Sequence, residues 1–328
     1  MSTPTAPSPW LPTAPCTPGR CAAHPGPDTP RASAARGVLR LAAGLAAVLL
    51  GVLLAPLAAP LPPVRRLFLV RCWCRAVVRA FGVRIRVHGP AAPPGGPLLV
   101  VANHVSWLDV PLLAAVLPGR MVAKREVRGW PLLGRLAAFG GTLFIDRDRL
   151  RSLPGTVGAM SCVLAGGGRV VVFPEGSTWC GRGGGAFRPA AFQAAVDTGS
   201  DVRPVRIDYR PVGPAAFVGD DPLGASLWRI ARARRLVADL WILDPISSTQ
   251  YPDRRALARA AETAVHPHRP AHPDPHPQAQ SHPDPHRLLP GVPRQPTVAR
   301  DSANRPSSSV HQRASVSPAS ASSLRTPS

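Results

Sequence analysis

Lysine is all but missing from this sequence. Of 39 lysine and arginine residues in 328, only Lys124 is lysine. A strongly GC-rich coding sequence leaves such a bias, and arginine does not replace lysine where a compact, point-like cation is needed. The lone survivor is therefore a candidate functional residue. Acid is also scarce: 18 aspartates and glutamates give a formal charge of +21. Aromatic residues make up only 5% and no DNA- or RNA-binding motif is visible, which argues against a nucleic-acid partner. Six cysteines are too few for a dense disulfide framework, and Cys72-Trp73-Cys74 lacks the spacing of a zinc or redox motif. A Gly-x-Ser-x-Gly elbow is absent, so a serine nucleophile of that kind is excluded.

Proline is plentiful but clustered. Nine of the 42 prolines lie between Pro4 and Pro30 and thirteen between Pro267 and Pro327. Both ends therefore read as disordered tails, over residues 1–36 and 265–328, because such stretches lack the apolar density that repays ordering. The second tail carries seven of the ten histidines, with the imperfect repeat His272-Pro-Asp-Pro-His276 and His282-Pro-Asp-Pro-His286. Between the tails the chain begins with a membrane-associated segment, residues 37–82. Leu41 to Pro62 is a run of 22 residues without a charge, close to the ~20 needed to cross hydrocarbon. A retained membrane segment is preferred to a cleaved signal peptide, and Pro56 admits a bent, half-inserted hairpin. The next stretch sets Arg71, Arg75 and Arg79 in one stripe among Leu69, Trp73, Val77 and Phe81, the pattern of a helix in the headgroup plane.

From residue 83 to 264 the period changes. Short β-branched runs (Val83–Val87, Leu98–Ala102, Thr142–Ile145, Val170–Phe173, Val202–Ile207, Leu240–Leu243) alternate with helix-like stretches at 110–117, 131–138, 150–165, 189–197, 223–236 and 253–264. The pattern predicts a single α/β domain, a mixed and mostly parallel central sheet flanked by helices. Polar clusters stand at several strand ends, where such sheets host their chemistry. In the first, Asn103-His104-Val-Ser106-Trp-Leu-Asp109, the histidine and aspartate are five residues apart. On one continuous helix they would point ~140° apart, so they meet only if the chain turns between them. There the carboxylate would hold one imidazole nitrogen and free the other as a base, suited to attack by a substrate hydroxyl. Three more clusters follow: Gly141 to Arg147, Phe173-Pro-Glu175-Gly176-Ser177, and Val202-Arg-Pro204-Val205.

In order and spacing, these four blocks resemble the glycerolipid acyltransferases, the bacterial 1-acylglycerol-3-phosphate acyltransferase family. The likeness extends from about Val83 to Asp244. It implies transfer of a fatty acyl group from acyl-CoA or acyl carrier protein to the hydroxyl of a lysophospholipid, converting lysophosphatidic acid to phosphatidic acid. By the resemblance His104 is the general base and Asp109 its orienter. Lys124 and Arg147 would hold the acceptor's anionic headgroup, and Glu175, Gly176 and Ser177 would shape its pocket. No metal or prosthetic group is implied, since the thioester is already activated. Membrane lipids would be partners, with the catalytic domain on the cytoplasmic face of the cell membrane. Two departures matter: Thr178 stands where many relatives carry arginine, and Arg206 is an unusual cation that could compensate. They leave a second acceptor open, a less charged lysolipid such as lyso-ornithine lipid. An inactive basic membrane-binding protein is the reading from another class.

Overall fold

The computed structural model describes residues 13–22, 31–90, 96–130, 133–146 and 149–267. The chain divides into two units, residues 1–273 and 274–328, and every described residue belongs to the first. Two helices lead, α1 (Ala34–Ala58) and α2 (Pro63–Ala80), followed by β1 (Val83–His88), β2 (Leu98–Ala102) and α3 (Asp109–Val116). Next come β3 (Arg120–Lys124), α4 (Leu133–Phe139), β4 (Leu143–Ile145), α5 (Leu153–Ala165), β5 (Arg169–Val172) and α6 (Phe192–Thr198). The last elements are β6 (Asp201–Arg210), α7 (Val212–Ala215), α8 (Leu223–Arg232), β7 (Leu236–Ile242) and α9 (Arg254–Val265).

Seven strands form one sheet in the order β1-β7-β6-β2-β5-β3-β4. Every neighbouring pair is parallel except β6 with β7. This is the mixed, mostly parallel α/β sheet that the alternation predicts. The all-apolar β2 follows from burial on both faces. Leu98, Val100 and Ala102 pack with Val78, Phe81 and Leu112 on the side of α2 and α3, whereas Leu99 and Val101 pack with Leu164, Phe192 and Leu257 on the side of α5, α6 and α9.

Several elements differ from expectation. Strand β3 has only three apolar residues among Arg120, Met121, Val122, Ala123 and Lys124, too few to mark a strand. The helix expected at 223–236 stops at Arg232, and β7 begins four residues before the apolar run that announced it. Asp239 disguised that strand. It is 1% exposed and lies between His88 Nε2 at 2.8 Å and Arg210 Nη2 at 2.5 Å. Despite its burial, hydrogen bonds from His88 and Arg210 and the Arg210 charge hold its carboxyl below the usual carboxylate range.

Helix α1 is long and apolar enough to cross a membrane, yet its first turns are tied to the domain. The Ala32 N–H donates to the Arg232 carbonyl at 2.8 Å, and the Arg40 guanidinium donates to the carbonyls of Ala231 and Ala233 at 3.2 and 2.6 Å. Glycine permits the approach, since a Cβ on Gly44 would come within 2.5 Å of the Phe81 ring. Helix α2 returns antiparallel. Trp73 Nε1 donates to the Ala47 carbonyl at 2.8 Å, and Val77, Val78 and Phe81 sink into the core beside β1. Between these roots the hairpin exposes large apolar side chains: Leu53 by 73%, Leu57 by 71%, Val64 by 79% and Phe68 by 63%. Part of the expected N-terminal tail also packs on the domain. Residues 13–22 include the helical turn Pro18–Ala22, with Cys16 and Ala22 buried. The rest of the C-terminal tail, from residue 268 on, lies outside the described residues.

Candidate active site

The chain does turn between His104 and Asp109. Strand β2 ends at Ala102, six residues make the turn, and Asp109 opens α3. Its carboxylate, 0% exposed, collects four donors. Oδ2 accepts from His104 Nδ1 at 2.9 Å and from the backbone N–H groups of Val105 and Ser106 at 2.6 and 2.8 Å. Oδ1 accepts from the Tyr209 hydroxyl at 2.6 Å. An ionised carboxylate only accepts, so Nδ1 carries the proton and Nε2 is left as the basic nitrogen. The imidazole stacks on Phe173 at 4.1 Å and lines a large groove. Burial, then the Asp109 charge and hydrogen bond, raise the Tyr209 pKa well above the ordinary phenol value. Tyr209 therefore remains an O–H donor at neutral pH.

A second buried carboxylate fixes the histidine's backbone. Glu175, 3% exposed, accepts the His104 N–H at 2.8 Å through Oε2; its Oε1 accepts the Gly185 N–H at 3.0 Å and lies 3.2 Å from His266 Nε2. The His104 carbonyl accepts the Trp179 N–H at 2.7 Å. Asn103 binds across to β6 like a strand residue, donating to the Ile207 carbonyl at 2.9 Å and accepting its N–H at 2.8 Å. The end of β2 is thus held on both sides, at the carboxyl ends of adjacent strands, where open α/β sheets place ligands.

The groove holds ≈ 2710 Å³ and runs from the α1–α2 hairpin, past Trp107 and His104, to β3, α4 and α5. That is well above the roughly 300–1,000 Å³ of small-molecule pockets. Its walls are mainly apolar, with cations Arg120, Lys124, Arg169 and Arg188 among them; among the described residues Glu126 and Asp146 are the acids that face it.

A family model described as acyltransferase matches residues 84–208. The chain is 40% identical over 205 residues to the lyso-ornithine lipid O-acyltransferase of Pseudomonas aeruginosa, covering 60% of this chain and 76% of that protein. The chain belongs to the acyltransferase family. It is also 34% identical over 197 residues to the 1-acyl-sn-glycerol-3-phosphate acyltransferase of Neisseria meningitidis, covering 58% of this chain and 76% of that one. The crystal structure of the 1-acyl-sn-glycerophosphate acyltransferase of Thermotoga maritima shares the fold. It superposes with a TM-score of 0.57 at 20% identity, over 70% of this chain and 93% of that chain.

In this acyltransferase His104, Lys124, Gly176 and Ser177 line one groove. Lys124 ends β3 and is exposed, and Gly176 takes a positive φ of 72° in the turn after β5. Arg147 lies outside the described residues. Glu175 was expected to shape the acceptor pocket. Its carboxylate instead points into the protein, because the His104 and Gly185 N–H groups would otherwise be buried without acceptors. Arg206 does not supply the cation missing at Thr178. It binds Asp208 at 3.0 Å, sits 5.0 Å over the Trp241 ring and is not part of the groove wall. Sequence reasoning missed Tyr209 and His266. Tyr209 is 100 residues from Asp109, and its one signal was being one of two tyrosines in the chain, four residues after the fourth block. His266 was hidden in the histidine-rich tail, though α9 ends immediately before it.

Proposed function

We propose that this acyltransferase moves a fatty acyl group from acyl-CoA or acyl carrier protein to the free hydroxyl of lysophosphatidic acid at a membrane surface. The observation that carries this reading is the His104–Asp109 pair opening onto an apolar groove with cationic patches. His104 Nε2 takes the proton of the acceptor hydroxyl as its oxygen attacks the thioester carbonyl. Asp109 stabilises the imidazolium that forms. As the tetrahedral intermediate collapses, the C–S bond breaks and the departing thiolate takes the proton back from Nε2. Ester and free thiol leave, and the histidine is neutral again. The thioester is activated already, so the proposed step requires no cofactor.

The hairpin supports the membrane part of the proposal. Both its roots sit on the domain, and α1 has only fourteen residues beyond Gly44. These rise about 21 Å, short of a hydrocarbon core of ~30 Å. The exposed tip would therefore dip into one leaflet and return, with the groove opening beside it. We place the domain on the cytoplasmic side, where acyl thioesters are found.

Cations outnumber acids on the groove wall, which favours a phosphate headgroup. Thr178 and the engaged Arg206 favour a second reading, a lyso-ornithine lipid acceptor, as does the resemblance to the Pseudomonas protein. The test is an acyl-transfer assay on detergent-solubilised protein with labelled acyl-CoA or acyl carrier protein and both lysolipids. The proposal expects phosphatidic acid from the wild type and none from His104→Ala. Turnover of lyso-ornithine lipid alone would establish the second reading. Undiminished turnover by His104→Ala would refute the base assignment.

A further inference from the structure

Outside the groove, three cysteines converge. Cys16 and Cys21 come from the N-terminal segment and Cys180 from the loop after β5, and their sulfur atoms all lie within 4.8 Å of one another. Cys16 and Cys180 are each 8% exposed, and Cys21 is half-buried. Among the described residues no other group of histidine, cysteine or acidic side chains meets in this way. We propose that these three thiols bind a soft divalent cation of the zinc class.

The geometry argues for a metal over two alternatives. With Zn–S bonds of ~2.3 Å, sulfurs on a tetrahedral ion stand about 3.8 Å apart and on a trigonal one about 4.0 Å. With all three sulfurs within 4.8 Å of one another, no pair need close by more than about 1 Å to reach either arrangement. A disulfide would require two sulfurs to close to ~2.05 Å and would leave the third thiol without a role. Nor is the cluster ordinary core. It is surrounded by small residues, Ala14, Ala22, Ala216 and Val218, beside Trp179. So little apolar area is a weak anchor for residues 13–22. The Arg182 backbone N–H and the Arg182 charge both bear on the Cys180 sulfur. Three thiolates on a divalent ion carry one net negative charge, and Arg182 offsets it. Each thiol that binds releases its proton to solvent. Cys21 is the most open of the three, so a fourth, solvent ligand would enter from its side.

The site's position gives it a consequence. Cys180 follows Trp179, whose N–H is bonded to the His104 carbonyl. An ion here would clip the segment that leads into α1 to the loop that steadies the catalytic histidine.

The test uses the full-length, detergent-solubilised, reduced protein, purified without a nickel column. It is titrated with Co²⁺ and then Zn²⁺, alongside Cys180→Ser and Cys16→Ser. The proposal expects one ion per chain, a thiolate-to-cobalt charge-transfer band in the near ultraviolet, and displacement of cobalt by zinc. Both variants should lose the band. The histidine-rich stretch is common to all three proteins, and imidazole ligation gives no such band. Should the variants not fold, alkylation of the wild type decides. Zinc should slow labelling of Cys16, Cys21 and Cys180 by about tenfold or more, while the exposed Cys72 and Cys162 react unchanged. Cobalt spectra without thiolate bands, labelling indifferent to zinc, or a disulfide among the three in zinc-loaded protein would each overturn the proposal. None of these readouts depends on the acyl-transfer reading.

Discussion

Asp109→Asn separates the charge of the carboxylate from its geometry. Four donors converge on Asp109, three of them on Oδ2. An asparagine can satisfy them in only one orientation, its carbonyl toward His104, Val105 and Ser106 and its amide toward Tyr209. The reverse orientation would point an NH₂ at two fixed backbone N–H groups. The backbone thus locks the amide so that it still accepts from Nδ1, and Nε2 remains the base. What disappears is the negative charge facing the imidazolium. Two unit charges 4 Å apart interact by about 4 kcal/mol at an effective dielectric constant near 20. The expected loss in kcat/KM is therefore on the order of 10³. Folding suffers less, because the hydrogen bonds survive in neutral form, each weaker by about 1 kcal/mol. Asp109→Ala would leave all four donors without an acceptor at about 1–3 kcal/mol apiece, enough to threaten the fold. Steady-state kinetics and thermal melts on the two variants check this. An asparagine variant within a few-fold of wild type would refute the electrostatic role of Asp109.

Glu175→Ala should cost about 1–3 kcal/mol for each of the two backbone donors it abandons and should lower kcat. Glu175→Gln keeps an acceptor for one of them and should fall between; melts and kinetics equal to wild type would remove Glu175 from the positioning role. Lys124→Met should raise the acceptor KM about tenfold while leaving the donor KM nearly unchanged, the mark of lost headgroup binding. Equal effects on both would point to a structural role. Asp239 is held below the usual carboxylate range, so its contribution to stability is complete above the ordinary aspartate value near 3.8 and is lost as pH falls through the lower folded value. Asp239→Asn should be less stable at pH 7, and the difference should shrink on acidification. A gap in melting temperature that stayed constant to pH 3 would contradict this.

The legible parts of the molecule share a physical cause. Strand β2 and the α1 run were readable because burial on both faces of a sheet, or a length and hydropathy sufficient to cross a membrane, shows as an unbroken apolar stretch. The His104–Asp109 contact was readable because only a strand-to-helix turn brings that spacing together. The hidden parts are those in which tertiary partners override local pattern. Asp239 interrupts β7 in sequence, yet His88 and Arg210 make it a stable strand interior. Glu175 stands in a block of groove residues, and its side chain turns away because two buried backbone donors need it. Tyr209 is joined to Asp109 only through the pairing of β6 beside β2, a register no local window contains.

These hidden contacts explain why the pair is rigid. His104 is held at its side chain by Asp109, at its N–H by Glu175 and at its carbonyl by Trp179. Two chain segments far apart in sequence, the turn into α3 and the loop after β5, therefore set the position of one imidazole. In the proposed reaction an acceptor anchored by a flexible acyl chain would arrive with little orientation of its own, so the protein would have to supply the alignment that brings hydroxyl, base and thioester together. A loosened support should then appear as a fall in kcat while the acceptor KM, set in the apolar groove, changes little. For that reason the Glu175 variants discriminate better than any substitution in the groove wall. Should they raise KM and spare kcat, Glu175 would belong to acceptor binding, as the motif alone implies.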